Sequence, residues 1–315
     1  MTVGATGEFG LIARVTARLG SGPTCQLGPG DDAAVVSALD TRVVAGTDVL
    51  VDGRHFRRDW SRAVDVGHRA AAANLADIAA MGAAPTALLV ALCVPPDLAV
   101  SWVEELADGI AAEAALTGAS VVGGDISASP TLTVAVTALG DLCGRAPVQR
   151  SGATAGDVVA LVGRLGYASA GYTVLSRGFR SPKVLVDAYR RPRVPYAAGP
   201  DAALLGATSM IDISDGLLAD LNHVAVASGV IIDLRREAFV IPDQMRDVAS
   251  ALGVDPYTWI FAGGDDHALV ATFPPGTPMP PQWLVIGRVH AGDSPAVTID
   301  QQPYVGPTGW DHFRA

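Results

Sequence analysis

Short apolar segments that end in glycine and aspartate recur through this chain of 315 residues. Each apolar run has the length of a β-strand, and the aspartate stands where the strand should end. Five clusters have this form: Gly28-Pro29-Gly30-Asp31-Asp32, Gly46-Thr47-Asp48, Gly123-Gly124-Asp125, Asp212-Ile213-Ser214-Asp215-Gly216 and Gly263-Gly264-Asp265-Asp266. Because helical patterns lie between the strands, the sequence predicts a mixed α/β protein.

The hydrophobic pattern places these elements along the chain. Strands are predicted at residues 43–51, 88–94, 120–122, 132–139, 158–162, 210–213, 230–234, 268–273 and 284–289. Helices are predicted at residues 8–19, 63–81, 97–117 and 217–227, where apolar residues follow helical spacing or alanine dominates. Residues 180–200 are rich in proline and arginine and are predicted to form a loop.

A polar, turn-rich segment at residues 141–157 separates two halves that both contain strands and helices. A chain of this length typically forms two domains of ~150 residues each. We therefore expect an amino-terminal domain at residues 1–145 and a carboxy-terminal α/β domain at residues 146–315.

The charge balance excludes several classes of protein. Acidic residues outnumber basic ones by 32 to 22, the net charge is −10, and Lys183 is the only lysine. Neither nucleic acid nor a membrane is an expected partner, because both require a broad basic surface. Lys183 lies in neither a P-loop nor a protein-kinase strand pattern, so the sequence excludes P-loop nucleotide-binding proteins and protein kinases. Three widely spaced cysteines and the absence of a long apolar run favour a cytoplasmic location.

The acidic clusters point to a metal. A single Gly-Asp pair is typical of a turn, but five clusters together favour a shared Mg²⁺ site. Asp77 adds a carboxylate on the predicted helix 63–81, three residues after Asn74 and on the same face. Since Mg²⁺ binds carboxylate and phosphate oxygens together, an acidic protein with such a site is compatible with a polyphosphate substrate.

Longer segments around these clusters resemble one family. GEFGLIARV, GPGDDAAV, GTDVLVDGRHF, NLADIAAMGA, VVGGDIS, DISDGLLADL, GGDDHALV and GWDHF follow in this order across nearly the whole chain. They resemble the thiamine-monophosphate kinases, which belong to the aminoimidazole ribonucleotide synthetase-like superfamily. The resemblance implies a two-domain fold of α/β (α+β) type, with mixed sheets flanked by helices, that forms a homodimer through its amino-terminal sheets.

The resemblance also implies an activity, the ATP-dependent phosphorylation of thiamine monophosphate to thiamine diphosphate by direct γ-phosphoryl transfer. ATP is then the co-substrate, several Mg²⁺ ions assist, and the amino-terminal domain binds both. The implied metal ligands are Asp32, Thr47, Asp48, Asp77, Asp125, Asp212 and Asp215. The implied nucleotide contacts are Gly124, Asp125, Arg150 and Ser214, and the implied contacts to thiamine monophosphate are His55, Asp265 and Trp310. The catalytic residues would be Asp48, Asp77, Asp125, Arg150 and Asp212.

Two positions depart from the family pattern. Gly46 replaces a serine, which removes an oxygen beside the metal ligands, and Asp265 replaces a glutamate that is one methylene longer. Another ATP-using enzyme of the superfamily, such as a selenophosphate synthetase, an aminoimidazole ribonucleotide synthetase or the hydrogenase maturation dehydratase, is an alternative. The lack of a Cys-Lys pair near the start and of a cysteine near residue 315 argues against it. A non-catalytic Mg²⁺- or nucleotide-binding protein is the second alternative.

Overall fold

The structure is a computed structural model that describes residues 1–29 and 34–310. The chain divides into two compact units. Unit 1 comprises residues 1–79 and 83–144, and unit 2 comprises residues 80–82 and 145–315. No helix within the described residues is both long enough and apolar enough to cross a membrane.

Unit 1 contains the following helices and strands, in chain order: α1 (Val3–Thr6), α2 (Glu8–Thr16), β1 (Cys25–Leu27), β2 (Val35–Val36), β3 (Val44–Val51), α3 (Ala63–Ala80), β4 (Ala84–Val94), α4 (Val100–Ala115), β5 (Ser120–Ala128) and β6 (Thr133–Asp141). Strands β3 to β6 form one sheet in the order β3-β6-β4-β5, hereafter the amino-terminal sheet. Only β4 and β5 in it run parallel. The predictions of a strand at 43–51 and of a helix at 63–81 are confirmed to within a residue.

The two faces of the amino-terminal sheet have different environments. Alternate residues of β6, from Val134 to Ala138, are fully buried on one face. On the opposite face Val49 is 45% exposed and Leu89 is 37% exposed. Because side chains alternate along a strand, every residue of β3 and β6 can be assigned to the buried face or to this open face.

Unit 2 contains these elements: β7 (Val158–Val162), α5 (Tyr167–Ser176), α6 (Lys183–Arg190), α7 (Ala198–Leu204), β8 (Ser209–Ile213), α8 (Leu217–Ser228), β9 (Ile231–Leu234), the 3₁₀ turn Arg236–Ala238, α9 (Asp243–Leu252), α10 (Pro256–Ala262), β10 (Ala268–Phe273), β11 (Leu284–His290), β12 (Ala296–Ile299) and β13 (Gln302–Pro303). The strands form a mixed sheet in the order β13-β12-β9-β11-β7-β10-β8. Mixed sheets flanked by helices are thus confirmed in both units.

The prediction of a loop at residues 180–200 is wrong, because α6 and α7 lie in this segment. Helix α6 buries Leu185, Val186 and Tyr189 on one face, and its charged residues on the other face are exposed or partly exposed. Pro182 precedes the helix, where a proline is compatible with a helix start. The prolines therefore mark the ends of short amphipathic helices.

Strand β8 forms one edge of the unit 2 sheet and pairs with β10. All five of its residues are buried. The chain leaves β8 at Ser214 and begins α8 three residues later. Of the polar cluster at residues 212–216, Asp212 therefore lies in the buried strand, and Ser214, Asp215 and Gly216 form a short turn before the helix.

Candidate active site

In unit 1, strand β3 and helix α3 bring together Asp48, Asn74 and Asp77. Oδ1 of Asn74 accepts the backbone N–H of Asp48 at 2.9 Å, and its Nδ2 donates to the carbonyl of Ala70 at 2.9 Å. A Cβ added at Gly46 would lie 3.6 Å from Oδ2 of Asp77. Asp48 and Gly46 are two residues apart and lie on the same face of the sheet, the face towards α3, where Asp48 is solvent-exposed.

Thr47 and Asp125 are on the open face instead. The hydroxyl of Thr47 donates to the carbonyl of Val136 at 2.9 Å. Asp125 pairs with Ala91 across β4 and β5, and its Oδ2 accepts the Ser127 hydroxyl at 3.1 Å. Strands β3 and β5 are the two edges of the sheet, about 14 Å apart at three strand spacings. Within one unit, the structure therefore does not bring Asp125 to Asp48.

Gly124 lies next to Asp125 in β5, and His55 lies in the turn after β3. A Cβ at Gly124 would lie 1.8 Å from the carbonyl oxygen of Val90, so only glycine is accommodated at this position. His55 follows β3, and its Nδ1 accepts the backbone N–H of Val51 at 3.0 Å. This bond places the ring hydrogen of neutral His55 on Nε2.

In unit 2, the turn after β8 is organised by a buried carboxylate, Asp220. Its Oδ2 accepts the backbone N–H groups of Ser214, Asp215 and Gly216 at 3.0, 3.1 and 3.0 Å. Asp220 lies in the first turn of α8 and is 3% exposed. The side chain of Asp220, in the helix that follows, therefore fixes the backbone of the turn that carries Ser214 and Asp215.

A second turn, residues 263–267, docks onto the first. The backbone N–H of Asp265 donates to Ser214 at 2.8 Å, and that of His267 donates to Ile213 at 3.0 Å. Nδ1 of His267 lies 3.1 Å from Oδ2 of Asp212, and both side chains are buried. Asp265 and His267 have φ angles of +67° and +52°, values that residues other than glycine adopt uncommonly. These two turns bring Asp212, Ser214, Asp215 and Asp265 together at the end of β8.

Trp310 joins this cluster, whereas Arg150 lies apart from it. The backbone N–H of Trp310 donates to the carbonyl of Asp215 at 2.9 Å, and its side chain is 53% exposed. The segment that contains Arg150 pairs instead with the start of β8, where Met210 donates to Gln149 at 3.1 Å. Arg150 and Ser214 therefore lie at opposite ends of a five-residue strand, about 17 Å long. Only an extended ligand of nucleotide length could contact both.

Two buried carboxyls in unit 2 have perturbed acidity. Burial, together with the charge of Asp212, raises the pKa of Asp220 to about 7, although the backbone hydrogen bonds act to lower it. Burial likewise raises the pKa of Asp266 to about 7, although its Oδ1 accepts the N–H of Ala168 at 3.0 Å. Oδ2 of Asp266 is buried without a hydrogen-bond partner among the described residues.

The donor set is compatible with Mg²⁺ bound to a phosphate ligand. Within residues 1–29 and 34–310, no three His, Cys, Asp or Glu side chains come together as a metal site. Mg²⁺, however, typically takes one or two carboxylates and completes its shell with phosphate oxygens and water. The pairs Asp48 with Asp77 and Asp212 with Asp215 supply that number of hard oxygen ligands. Asp32 lies outside the described residues, and the ligand roles of all these residues stay predictions.

Sequence reasoning missed three residues that organise the site. Asp220 looks like an ordinary charge in the sequence, Asp266 stands only as the last residue of an acidic cluster, and the sequence assigns His267 no role. The position of Asp220 in the first turn of a predicted helix was a usable signal, because a carboxylate there interacts favourably with the free backbone N–H groups at the start of the helix. No local pattern could have indicated the pairing of His267 with Asp212, which are 55 residues apart.

Comparison with known proteins supports one family along the entire chain. Residues 30–142 match the AIR synthase related protein, N-terminal domain, and residues 154–300 match the AIR synthase related protein, C-terminal domain. The thiamine-monophosphate kinase of Mycobacterium tuberculosis is 48% identical over 99% of this chain and 93% of its own length. That of Aquifex aeolicus is 33% identical over 98% of both chains.

A solved structure extends this likeness to three dimensions. The structure of AaThiL complexed with AMPPCP and TMP superposes with a TM-score of 0.81, at 33% identity and with 99% of both chains covered. The two matched domains and the mixed sheets define an AIR synthase related protein. Within that class, full-length identities of 33–48% show that the chain belongs to the thiamine-monophosphate kinase family.

Proposed function

We propose that the protein transfers the γ-phosphoryl group of ATP directly to thiamine monophosphate and forms thiamine diphosphate, with the assistance of Mg²⁺. The observation that carries this proposal is the likeness over 99% of both chains to the AaThiL complex with AMPPCP and TMP, read as an ATP analogue and thiamine monophosphate. The carboxylate pairs in each unit support it, because phosphoryl transfer needs charge neutralisation. This activity would make the protein a transferase of thiamine diphosphate biosynthesis.

The proposed metal ligands are Asp32, Thr47, Asp48, Asp77, Asp125, Asp212 and Asp215. When bound there, Mg²⁺ would supply neutralisation of the phosphate charges. Asn74 would hold the β3 backbone at Asp48 against α3, so that Asp48 and Asp77 keep a constant separation. Asp220 would do the same for the turn that carries Asp215, through its three backbone hydrogen bonds. The chain thus supports its proposed ligands with buried polar contacts.

The remaining residues would bind and orient the two substrates. Gly124 and Ser214 would contact the nucleotide, and the guanidinium of Arg150 would bind phosphate oxygens in its fork of N–H donors. His55, with its hydrogen on Nε2, could donate to thiamine monophosphate. Trp310 offers an exposed aromatic face, and Asp265 a carboxylate, to the cationic thiazolium ring. The acceptor phosphate is already anionic near pH 7, so the reaction needs no strong general base.

A homodimer through the amino-terminal sheets is part of the proposal. The open face exposes Val49 and Leu89, and an apolar sheet face of this kind favours burial against another protein surface. Thr47 and Asp125 both lie on the open face but at opposite edges of one sheet, so a second copy that packs its β5 edge against β3 would bring its Asp125 towards Thr47. We expect Leu89→Asp to yield a monomer in light scattering with loss of turnover. A fully active monomer would contradict the dimer.

We also propose that residues 1–145 and 146–315 are the two domains, that the first binds ATP and Mg²⁺, and that the protein works in the cytoplasm. Incubation with ATP, Mg²⁺ and thiamine monophosphate, followed by anion-exchange chromatography, tests the reaction. We expect thiamine diphosphate and ADP in equal amounts. ATP turnover only with another acceptor would favour a different superfamily enzyme, and nucleotide binding without any product would favour a non-catalytic protein.

A further inference from the structure

His267 adopts a backbone conformation that is uncommon for residues other than glycine. Its φ angle of +52° lies in the left-handed region, which glycine occupies without steric cost. If only the shape of the turn mattered, a glycine would serve better at this position. A histidine retained in a strained conformation indicates that its side chain has a role.

The side chain of His267 has a defined partner. Nδ1 lies 3.1 Å from Oδ2 of Asp212, with side-chain exposures of 6% and 5% for the two residues. An ionised carboxylate only accepts hydrogen bonds, so the ring hydrogen is on Nδ1 when Asp212 is charged. Hydrogen bonds among the described residues engage Oδ2 of Asp212 only, which leaves Oδ1 for a cation.

The backbone makes this contact rigid. The N–H of His267 donates to the carbonyl of Ile213, next to Asp212, at 3.0 Å. The following residues, Ala268 and Leu269, pair with Ile213 and Asp212 in the sheet. His267 is thus anchored to the same strand segment that its ring contacts, and a buried hydrogen bond between rigid partners sets the direction of the carboxylate.

We propose that His267 is a positioning residue that holds the Asp212 carboxylate in the orientation in which Asp212 binds a divalent cation. This inference rests on the proposed function, in which Asp212 is a metal ligand. A group that orients a ligand in this way typically changes metal affinity or activity by 10–100-fold when it is removed.

Two substitutions separate the side chain from the backbone strain. His267→Gly removes the steric cost of the left-handed backbone conformation, but it also removes the Nδ1–H donor to Asp212. His267→Asn keeps a donor, because its Nδ2 can take the place of Nδ1, and asparagine tolerates positive φ. His290→Asn, at an exposed residue at the end of β11, is the matched control. If H267G does not fold, H267A replaces it as the variant without a donor.

The decisive readout is Mn²⁺ affinity, measured from the free-ion electron paramagnetic resonance signal in the presence of a non-hydrolysable ATP analogue. We expect H267G to weaken Mn²⁺ binding and lower kcat by about 10–100-fold, with KM for thiamine monophosphate within about threefold. H267N should recover most of both quantities, and H290N should match wild type. Wild-type Mn²⁺ affinity in folded H267G, or equal losses in H267N and H267G, would overturn the proposal.

Asp212→Asn distinguishes this inference from the proposed function. Unchanged Mn²⁺ affinity in D212N would overturn both the ligand assignment and the role of His267. If wild type forms no thiamine diphosphate while Mn²⁺ affinity falls in H267G and D212N, the kinase function fails and the positioning role stands. If wild type turns over and H267G is unimpaired, the function stands and the positioning role fails.

Discussion

The buried carboxyl of Asp266 leads to a quantitative prediction about how the free energy of unfolding depends on pH. Its carboxyl is 4% exposed, one oxygen caps the start of α5 through Ala168, and the other is buried without a partner among the described residues. Replacement by asparagine keeps an acceptor for Ala168 and removes the ionisable group. We therefore expect Asp266→Asn to change how the stability of unit 2 depends on pH.

The sign follows from the raised pKa, which burial takes from 3.8 to about 7. Between these values the folded state holds a proton that the unfolded state releases, so stability falls as pH rises through this window and levels off above pH 7. From pH 5 to pH 8 the linkage relation gives a loss of roughly 2–3 kcal/mol from this one carboxyl. For a unit of this size, that corresponds to a fall in Tm of roughly 5–10 °C.

The assay compares wild type and D266N by urea unfolding and by scanning calorimetry at pH 5 and pH 8. Other carboxyls contribute equally to both proteins, so the difference between the two curves isolates Asp266. The difference in unfolding free energy between the two proteins should shift by roughly 2–3 kcal/mol in favour of D266N between pH 5 and pH 8. Asp293→Asn, at an exposed residue, should show no shift. Parallel curves for wild type and D266N would refute the reasoning.

Three further predictions concern the proposed site. Gly46→Ser should lower the Mg²⁺ concentration for half-maximal turnover by about threefold, since its Cβ fits 3.6 Å from Asp77 and adds an oxygen; an unchanged Mg²⁺ titration would contradict this. Asp48→Asn and Asp77→Asn should each lower kcat by about 100-fold at unchanged Tm, and near-normal turnover would refute their assignment. Asp265→Glu should lower KM for thiamine monophosphate by about threefold with kcat nearly constant, because the longer side chain restores its reach; a large fall in kcat at constant KM would contradict that.

Most strands were predictable because a short apolar run between turn residues is enough to indicate a strand. Val158–Val162 is a continuous apolar run and Ala268–Phe273 is apolar except for Thr272, and both strands were predicted to the residue. Helix α6 was missed because it is short and lies between proline and arginine residues that locally favour a loop. Its stability comes from Leu185 and Tyr189, which are buried by tertiary packing that no sequence window contains.

In the candidate site, too, the local features were predictable from the sequence, whereas the tertiary contacts were not. The aspartates that follow strands were identifiable from the sequence, because glycine and aspartate at a strand end are visible in a short window. Their grouping depends on strand order, which the sequence does not reveal: β8 and β10 are neighbours, whereas β3 and β5 are opposite edges. His267 contacts Asp212 only because β10 pairs with β8.

The proposed function requires that carboxylates of unit 1 and carboxylates of unit 2 each bind divalent ions. Anomalous diffraction from crystals grown with Mn²⁺ and a non-hydrolysable ATP analogue tests it most directly. We predict anomalous peaks at carboxylate oxygens of Asp48 and Asp77, and of Asp212 and Asp215. Clear nucleotide density without an anomalous peak beside any of these four side chains would contradict the claim.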